Sequence, residues 1–179
     1  MTTNRRIVLA SRPQGAASTS NFRLEEVPVP SLEPGQILVR NHWLSLDPYM
    51  RGRMSEGRSY AASQALDAVM VGGTAGEVVE SRNPAFATGD KVVAYLGWQE
   101  YGVSDGAGVY KVDTRHVPLS AYLGPVGMPG VTAWYGLNRI IEPLQGQTVV
   151  VSAASGAVGS VVGQLARLGR SEERRVGKE

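Results

Sequence analysis

The sequence predicts a mixed α/β chain, with a partly open β-barrel first and then the opening strand, loop and helix of an α/β domain. Three observations predict this. From Arg5 to Val112 the apolar residues fall in short β-branched runs divided by clusters such as Pro28-Val29-Pro30 and Glu33-Pro34-Gly35, the pattern of many short strands joined by turns. Near residue 120 the apolar spacing changes to that of a helix. From Thr148 to Leu168 the chain reads as a strand, a glycine loop and an apolar-periodic helix.

The elements follow in order. Strands are expected over Arg5–Ser11, Phe22–Val27, Gln36–Leu44, Ala68–Glu80 and Lys91–Leu96, with short additions at Val103 and Val109–Val112 around the Asp105-Gly106 turn. Their irregular spacing, without an internal repeat, suits a partly open barrel. Pro129 can open a helix, because its missing N–H is not needed at the first position. Val131, Trp134, Tyr135, Ile140 and Ile141 can form a helical stripe along it, ending before Pro143. Gln145-Gly146 turns the chain into a strand at Thr148–Ser152. In the next helix Val158, Val161, Val162, Leu165 and Leu168 repeat at i, i+3, i+4 and i+7. The segment Ser171–Glu179 has Val176 as its one clear apolar residue. A buried parallel strand is nearly continuously apolar, so this segment is expected to be a disordered tail foreign to the fold. The domain organisation is therefore 1–124, a β-rich domain; 125–170, the start of an α/β domain; and 171–179, the tail.

Composition narrows the function classes. With 179 residues, 42% hydrophobic, 22 Gly and 10 Pro, the chain is globular and turn-rich. A net charge of +2, with scattered positives and no basic helix face, argues against nucleic acid. The absence of cysteine excludes disulfides, thiol catalysis and thiolate metal sites. It is compatible with a reducing compartment, and a cytoplasmic location is expected. Ile7-Val8-Leu9-Ala10 is too short for a signal h-region. Thr148–Ala166 is 19 residues without a charge and contains Gly159-x-x-x-Gly163, but its small and hydroxyl residues argue against a membrane span.

Three constellations could carry chemistry. In Ala154-Ser155-Gly156-Ala157-Val158-Gly159 an alanine takes the first place of the G-x-G-x-x-G pattern. Such a string alone is a weak signal, but a strand before it and an apolar helix after it are the context that dinucleotide binding requires. Missing side chains let backbone N–H groups approach a pyrophosphate at the helix N-terminus. The residue that selects NAD or NADP would lie about 20 residues further on, beyond this sequence. Next, Leu44-Ser45-Leu46-Asp47-Pro48-Tyr49-Met50-Arg51-Gly52-Arg53-Met54 places a tyrosine and arginines after a strand; by composition alone the favoured reading is a surface loop in which Asp47 pairs an arginine. Finally, His42 and His116 lack partners at ligand spacing, so they are expected to be packed or hydrogen-bonded residues and no metal site is expected. No Ser/His/Asp set is visible, and Ser155 lacks the G-x-S-x-G frame.

The chain resembles the zinc-independent branch of the medium-chain dehydrogenase/reductase superfamily, that of leukotriene B4 dehydrogenases, prostaglandin reductases, alkenal double-bond reductases and curcumin reductases. The strings that carry the resemblance are Ser11-Arg12-Pro13-Gln14-Gly15, Leu44 to Met54, Gly89-Asp90-Lys91-Val92-Val93, Gly127-Met128-Pro129-Gly130-Val131-Thr132-Ala133 and Ser152 to Gly163. They are collinear. Zinc-dependent relatives place a metal-binding cysteine where this chain has Leu46-Asp47-Pro48.

The resemblance implies a GroES-like barrel followed by the first β-α unit of a truncated Rossmann domain. It implies hydride transfer from NADPH to the β-carbon of an α,β-unsaturated aldehyde or ketone. Tyr49 would be a positioning or donor residue, Arg51 a second catalytic candidate, and Ser155, Gly156, Ala157, Val158 and Gly159 the pyrophosphate loop, with Thr132 nearby. The partners would be a small unsaturated carbonyl substrate and a second subunit in a homodimer. A quinone reductase of the same branch, or a non-catalytic remnant serving as a binding or scaffold protein, are the rival readings. Family members are roughly twice this length, as a barrel plus a six-stranded domain demands. The chain is accordingly expected to be a fragment, inactive as it stands.

Overall fold

The computed structural model describes residues 2–57, 61–169 and 172–176, the last as backbone alone. It forms two compact units, Met1–Leu119 and Ser120–Glu179.

The first unit is β-rich. Strands β1 (Thr3–Leu9) and β2 (Phe22–Pro28) pair antiparallel, with Thr3 opposite Pro28 and Leu9 opposite Phe22. A five-stranded antiparallel sheet has the order β6-β3-β4-β5-β7. Its strands are β3 (Ile37–Leu44), β4 (Thr74–Ser81), β5 (Lys91–Ala94), β6 (Tyr101–Ser104) and β7 (Tyr110–Lys111). The two sheets are stitched by bridges between Arg6 and Gln99 and between Val8 and Val69, which gives the partly open barrel its closure. Of the predicted strand Ala68–Glu80, only the part from Thr74 is regular.

Alternation along β3–β5 sends Ile37, Val39, Val78, Val92 and Ala94 into one core, where Val109 joins them. A second cluster, Leu9, Met50, Met54 and Met70, sits beneath helix α1 (Tyr49–Arg53). Gly76 lets β3 and β4 approach, since a Cβ there would lie 2.3 Å from the Arg40 carbonyl oxygen.

The second unit holds α2 (Met128–Tyr135), a π-helical turn Gly136–Ile141, β8 (Thr148–Ser152), α3 (Gly159–Leu168) and β9 (Glu172–Val176). The apolar stripe between residues 131 and 141 faces outward, Val131 being 63% and Ile140 72% exposed. The buried face is instead Gly130, Ala133 and Leu137. The cause is backbone proximity. A Cβ at Gly130 would sit 1.7 Å from the Pro125 carbonyl oxygen, so the helix packs through its smallest residues. In α3 likewise Gly163 and Ala166 are buried, Val162 and Leu165 pack on the Leu137/Val149/Val151/Ala166 cluster, and Leu168 is 80% exposed.

Residues 172–176 form a strand parallel to β8, from Thr148 opposite Glu172 to Ser152 opposite Val176. A ladder is made by backbone groups, and charged side chains are compatible with an edge strand, so a polar segment can add to an open edge. Arg170, Ser171 and residues 177–179 lie outside the described residues. No helix among the described residues is long and apolar enough to cross a membrane.

Candidate functional site

In the first unit the candidate residues lie on and around α1. Strand β3 ends as the Ser45 N–H donates to the Gly73 carbonyl at 2.9 Å, and the turn at Asp47-Pro48 starts the helix through Met50 N–H to Asp47 O at 3.1 Å. Asp47 is in no ion pair among the described residues, so the surface-loop reading loses the pairing it invoked. Met50 and Met54 point into the second core, and Tyr49, half-buried, packs on that core beside Phe22, Val71 and Trp98. Phe22 and Trp98 stack with ring centroids 5.4 Å apart. Gly72 makes room for this packing, because a Cβ there would lie 2.8 Å from Leu44 Cδ1 and 3.0 Å from Trp98 Cδ1.

Arg51, two residues after Tyr49, is committed to the distant carbonyls of Pro13 and Gly15 and to the nearby Ser55 hydroxyl. Its Nε donates to Gly15 O at 3.1 Å, Nη2 to Gly15 O and Pro13 O, and Nη1 to Ser55 Oγ at 2.8 Å. Arg12 reaches the opposite way, from Nη1 to Met54 O at 3.0 Å and from Nε to Glu56 Oε1 at 2.8 Å. Arg12 was not singled out by its sequence context. Nothing local marks it, because its partners lie more than forty residues along the chain.

His42 Nε2 is 3.7 Å from Glu77 Oε2, which also accepts from Lys91 Nζ. The Lys91 hydrogen bond, and then its charge, hold the Glu77 carboxyl below the usual range against the opposing effect of partial desolvation. Among the described residues no three His, Cys, Asp or Glu side chains are grouped to hold a metal ion.

In the second unit, β8 leads into a turn at Ala153, whose φ of +49° is unusual for a residue with a Cβ. Gly156 N–H donates back to Ala153 O at 2.9 Å, and Gly156 O accepts from Ser160 N–H at 2.9 Å. Ser155, Gly156, Ala157 and Val158 are exposed along this loop. No side chain caps the start of α3; the Ser160, Val161 and Val162 N–H groups donate to the Gly156 and Val158 carbonyls, and the positive end of the helix dipole lies at this loop. A Cβ at Gly159 would lie 2.4 Å from the Ala153 carbonyl oxygen, while one at Gly156 would lie 3.2 Å from that same atom. These are separate requirements: Gly159 allows the helix to sit on the strand end, and Gly156 keeps the loop surface bare. Such a cradle fits a pyrophosphate. Thr132 sits exposed on α2, its hydroxyl donating to the Met128 carbonyl at 2.8 Å. Structure thus brings Tyr49 and Arg51 together on one short helix and residues 155–159 together on one loop.

Comparison with known proteins was consistent across sequence and structure. A family model described as the N-terminal domain of oxidoreductase matches residues 5–112. The chain is 51% identical over 165 residues to the NADPH-dependent curcumin reductase of Escherichia coli, covering 92% of this chain and 48% of that protein. It is 39% identical over 171 residues to a 2-alkenal reductase (NADP(+)-dependent) of Nicotiana tabacum, covering 92% and 50%. The crystal structure of CurA in complex with NADPH from Vibrio vulnificus superimposes with a TM-score of 0.90 at 46% identity, over 98% of this chain and 52% of that one. The chain therefore spans about half the length of the curated relatives it matches.

Proposed function

The chain belongs to the family of oxidoreductase N-terminal domains, and from that premise we propose that it contributes the substrate-side barrel and the start of the cofactor domain to an NADPH-dependent reductase of α,β-unsaturated aldehydes and ketones. The observation that carries this reading is the 51% identity to an NADPH-dependent curcumin reductase over a span that includes both α1 and the glycine loop. The 2-alkenal reductase relative supports the same substrate class.

NADPH, when bound, supplies the hydride. Residues 155–159 would hold its pyrophosphate through backbone N–H groups at the loop before α3, with Thr132 a further candidate contact. Tyr49 positions the substrate and donates a hydrogen bond to the carbonyl oxygen as negative charge develops there. A donor aimed at that oxygen is worth more in the transition state than in the ground state, which is what accelerates the step. Arg51 serves that tyrosine from within the same helix. The assembled enzyme is a homodimer acting on a small molecule.

The test uses the whole protein. NADPH oxidation should be supported by a 2-alkenal and by an enone. Tyr49→Phe should lower kcat/KM by about ten- to a hundredfold, less than the loss of a donor in a dry oxyanion hole, with NADPH affinity unchanged. Turnover of quinones with inert enones would favour the quinone-reductase reading. NADPH binding with no turnover of either class would leave a binding protein.

A further inference from the structure

We infer that Arg12 and Arg51 are a reciprocal clamp that joins the segment Arg12–Gly15 to α1 as one body, and that this body sets the angle of Tyr49; the functional part of the inference rests on the role proposed for Tyr49 above.

The need for a clamp comes from the length of α1. It has five residues, and Pro48 at its start provides no side-chain cap. A helix this short does not hold itself in water, because nucleation costs more than one turn of hydrogen bonds returns. Its core-facing side is fixed by Met50 and Met54. Its other side is fixed by two guanidinium groups running in opposite directions between the same two segments. Arg12 leaves the segment and binds the Met54 carbonyl at the end of α1, where a cation also suits the helix dipole. Arg51 leaves α1 and binds the carbonyls of Pro13 and Gly15. Gly15, at φ +81°, has the backbone conformation that glycine adopts without strain and turns its carbonyl into this contact.

The same bonds argue against a direct chemical role for Arg51. All three of its nitrogens are engaged, by two backbone carbonyls and the Ser55 hydroxyl. Arg51 is therefore a positioning residue that acts through Tyr49, two places before it. Arginine is required for geometric reasons. Its planar fork meets two carbonyls at once, whereas a lysine ammonium offers a point charge without that fixed geometry. The segment is anchored at its base as well, by Ala10 and Ser11 N–H groups donating to Asn21 O at 2.8 and 3.2 Å. Beyond Ser11, burial of Pro13 holds the segment together with the Arg12 and Arg51 bonds.

The experiment is a double-mutant cycle in the whole protein, with Arg51→Lys, Tyr49→Phe and the pair, and Arg12→Lys in parallel. Steady-state kinetics on a 2-alkenal, NADPH affinity and amide exchange are measured for each. Misalignment of a reacting group by as little as an ångström can cost on the order of a hundredfold. A partial loosening should cost about tenfold in kcat, with KM and NADPH affinity within about twofold. In the Tyr49→Phe background, Arg51→Lys should cost less than about twofold, because coupled residues are not additive. Equal losses in both backgrounds, or no loss in the parent, would overturn the positioning role. Amide exchange tests the clamp independently. Either lysine variant should speed exchange in residues 12–18 and 49–55 together, and acceleration of one segment alone would refute a shared body. If Tyr49→Phe leaves turnover unchanged, the role proposed for Tyr49 fails, while exchange still decides the clamp.

Discussion

Replacing Gly159 with alanine separates the cofactor cradle from an ordinary turn. The new Cβ would lie 2.4 Å from the Ala153 carbonyl oxygen and 3.1 Å from Ala154 Cα, about 1 Å short of ordinary contact with the first of these. That oxygen belongs to the backbone at a constrained left-handed turn, so it cannot swing aside and the start of α3 must move instead. Forcing a group into filled space costs about 1–3 kcal/mol, and alanine's better helix propensity returns at most about 1 kcal/mol. The larger consequence is for binding. Moving a charge-assisted N–H···O contact of about 2.8 Å outward by about 1 Å takes it beyond hydrogen-bonding distance. One such bond is worth about 1.5–3 kcal/mol, so NADPH affinity should fall by about ten- to a hundredfold. Gly156→Ala is the control. Its Cβ has a milder 3.2 Å contact, so it should lower NADPH affinity by obstructing the phosphate while leaving the melting temperature nearly unchanged. Titration of the whole protein with NADPH by calorimetry, with a thermal melt beside it, reads both. Gly159→Ala binding NADPH within twofold of the parent would refute the assignment of this loop to the cofactor.

Gly76→Ala should destabilise the barrel by about 1–3 kcal/mol, because its Cβ would meet the Arg40 carbonyl oxygen of the paired strand at 2.3 Å; an unchanged melting temperature would be inconsistent with that approach. Acid should weaken the first unit: Glu77, Asp90 and Glu100 are held below their usual range chiefly by hydrogen bonds from Lys91, Lys111 and Arg5. A carboxylate depressed in the folded state contributes stability fully present above its unfolded pKa and lost as pH falls through the folded one, so the melting temperature should hold down to about pH 5 and drop below it. Salt should flatten that drop, since these pairs are exposed; a rise in stability on acidification would contradict the ion-pair assignment. Elemental analysis of the dialysed protein should find no stoichiometric zinc, given the absence of cysteine and of any metal-holding cluster among the described residues.

The residues alone determined the local parts of this protein. Strands bounded by Pro and Gly appeared near their expected places, as with Phe22–Pro28 and Ile37–Leu44, because chain-breaking chemistry acts on its immediate neighbours. The order strand, glycine loop, helix was legible for the same reason. What a helix does with its faces was not. Burial is non-directional, and a stripe of Val131, Trp134 and Ile140 says only that an apolar face exists. Tertiary packing placed Gly130, Ala133 and Leu137 inward, where small side chains let backbones meet. Nor could a pattern of apolar residues announce β9, which pairs parallel to β8. The clamp is the clearest case. Arg12 and Arg51 are ordinary surface arginines by composition, and only a fold that brings residues 12–15 against 49–56 turns their guanidinium groups toward each other's backbone. Contacts across forty residues depend on the path of the whole chain, and that path is set by the summed burial of both cores rather than by any local signal.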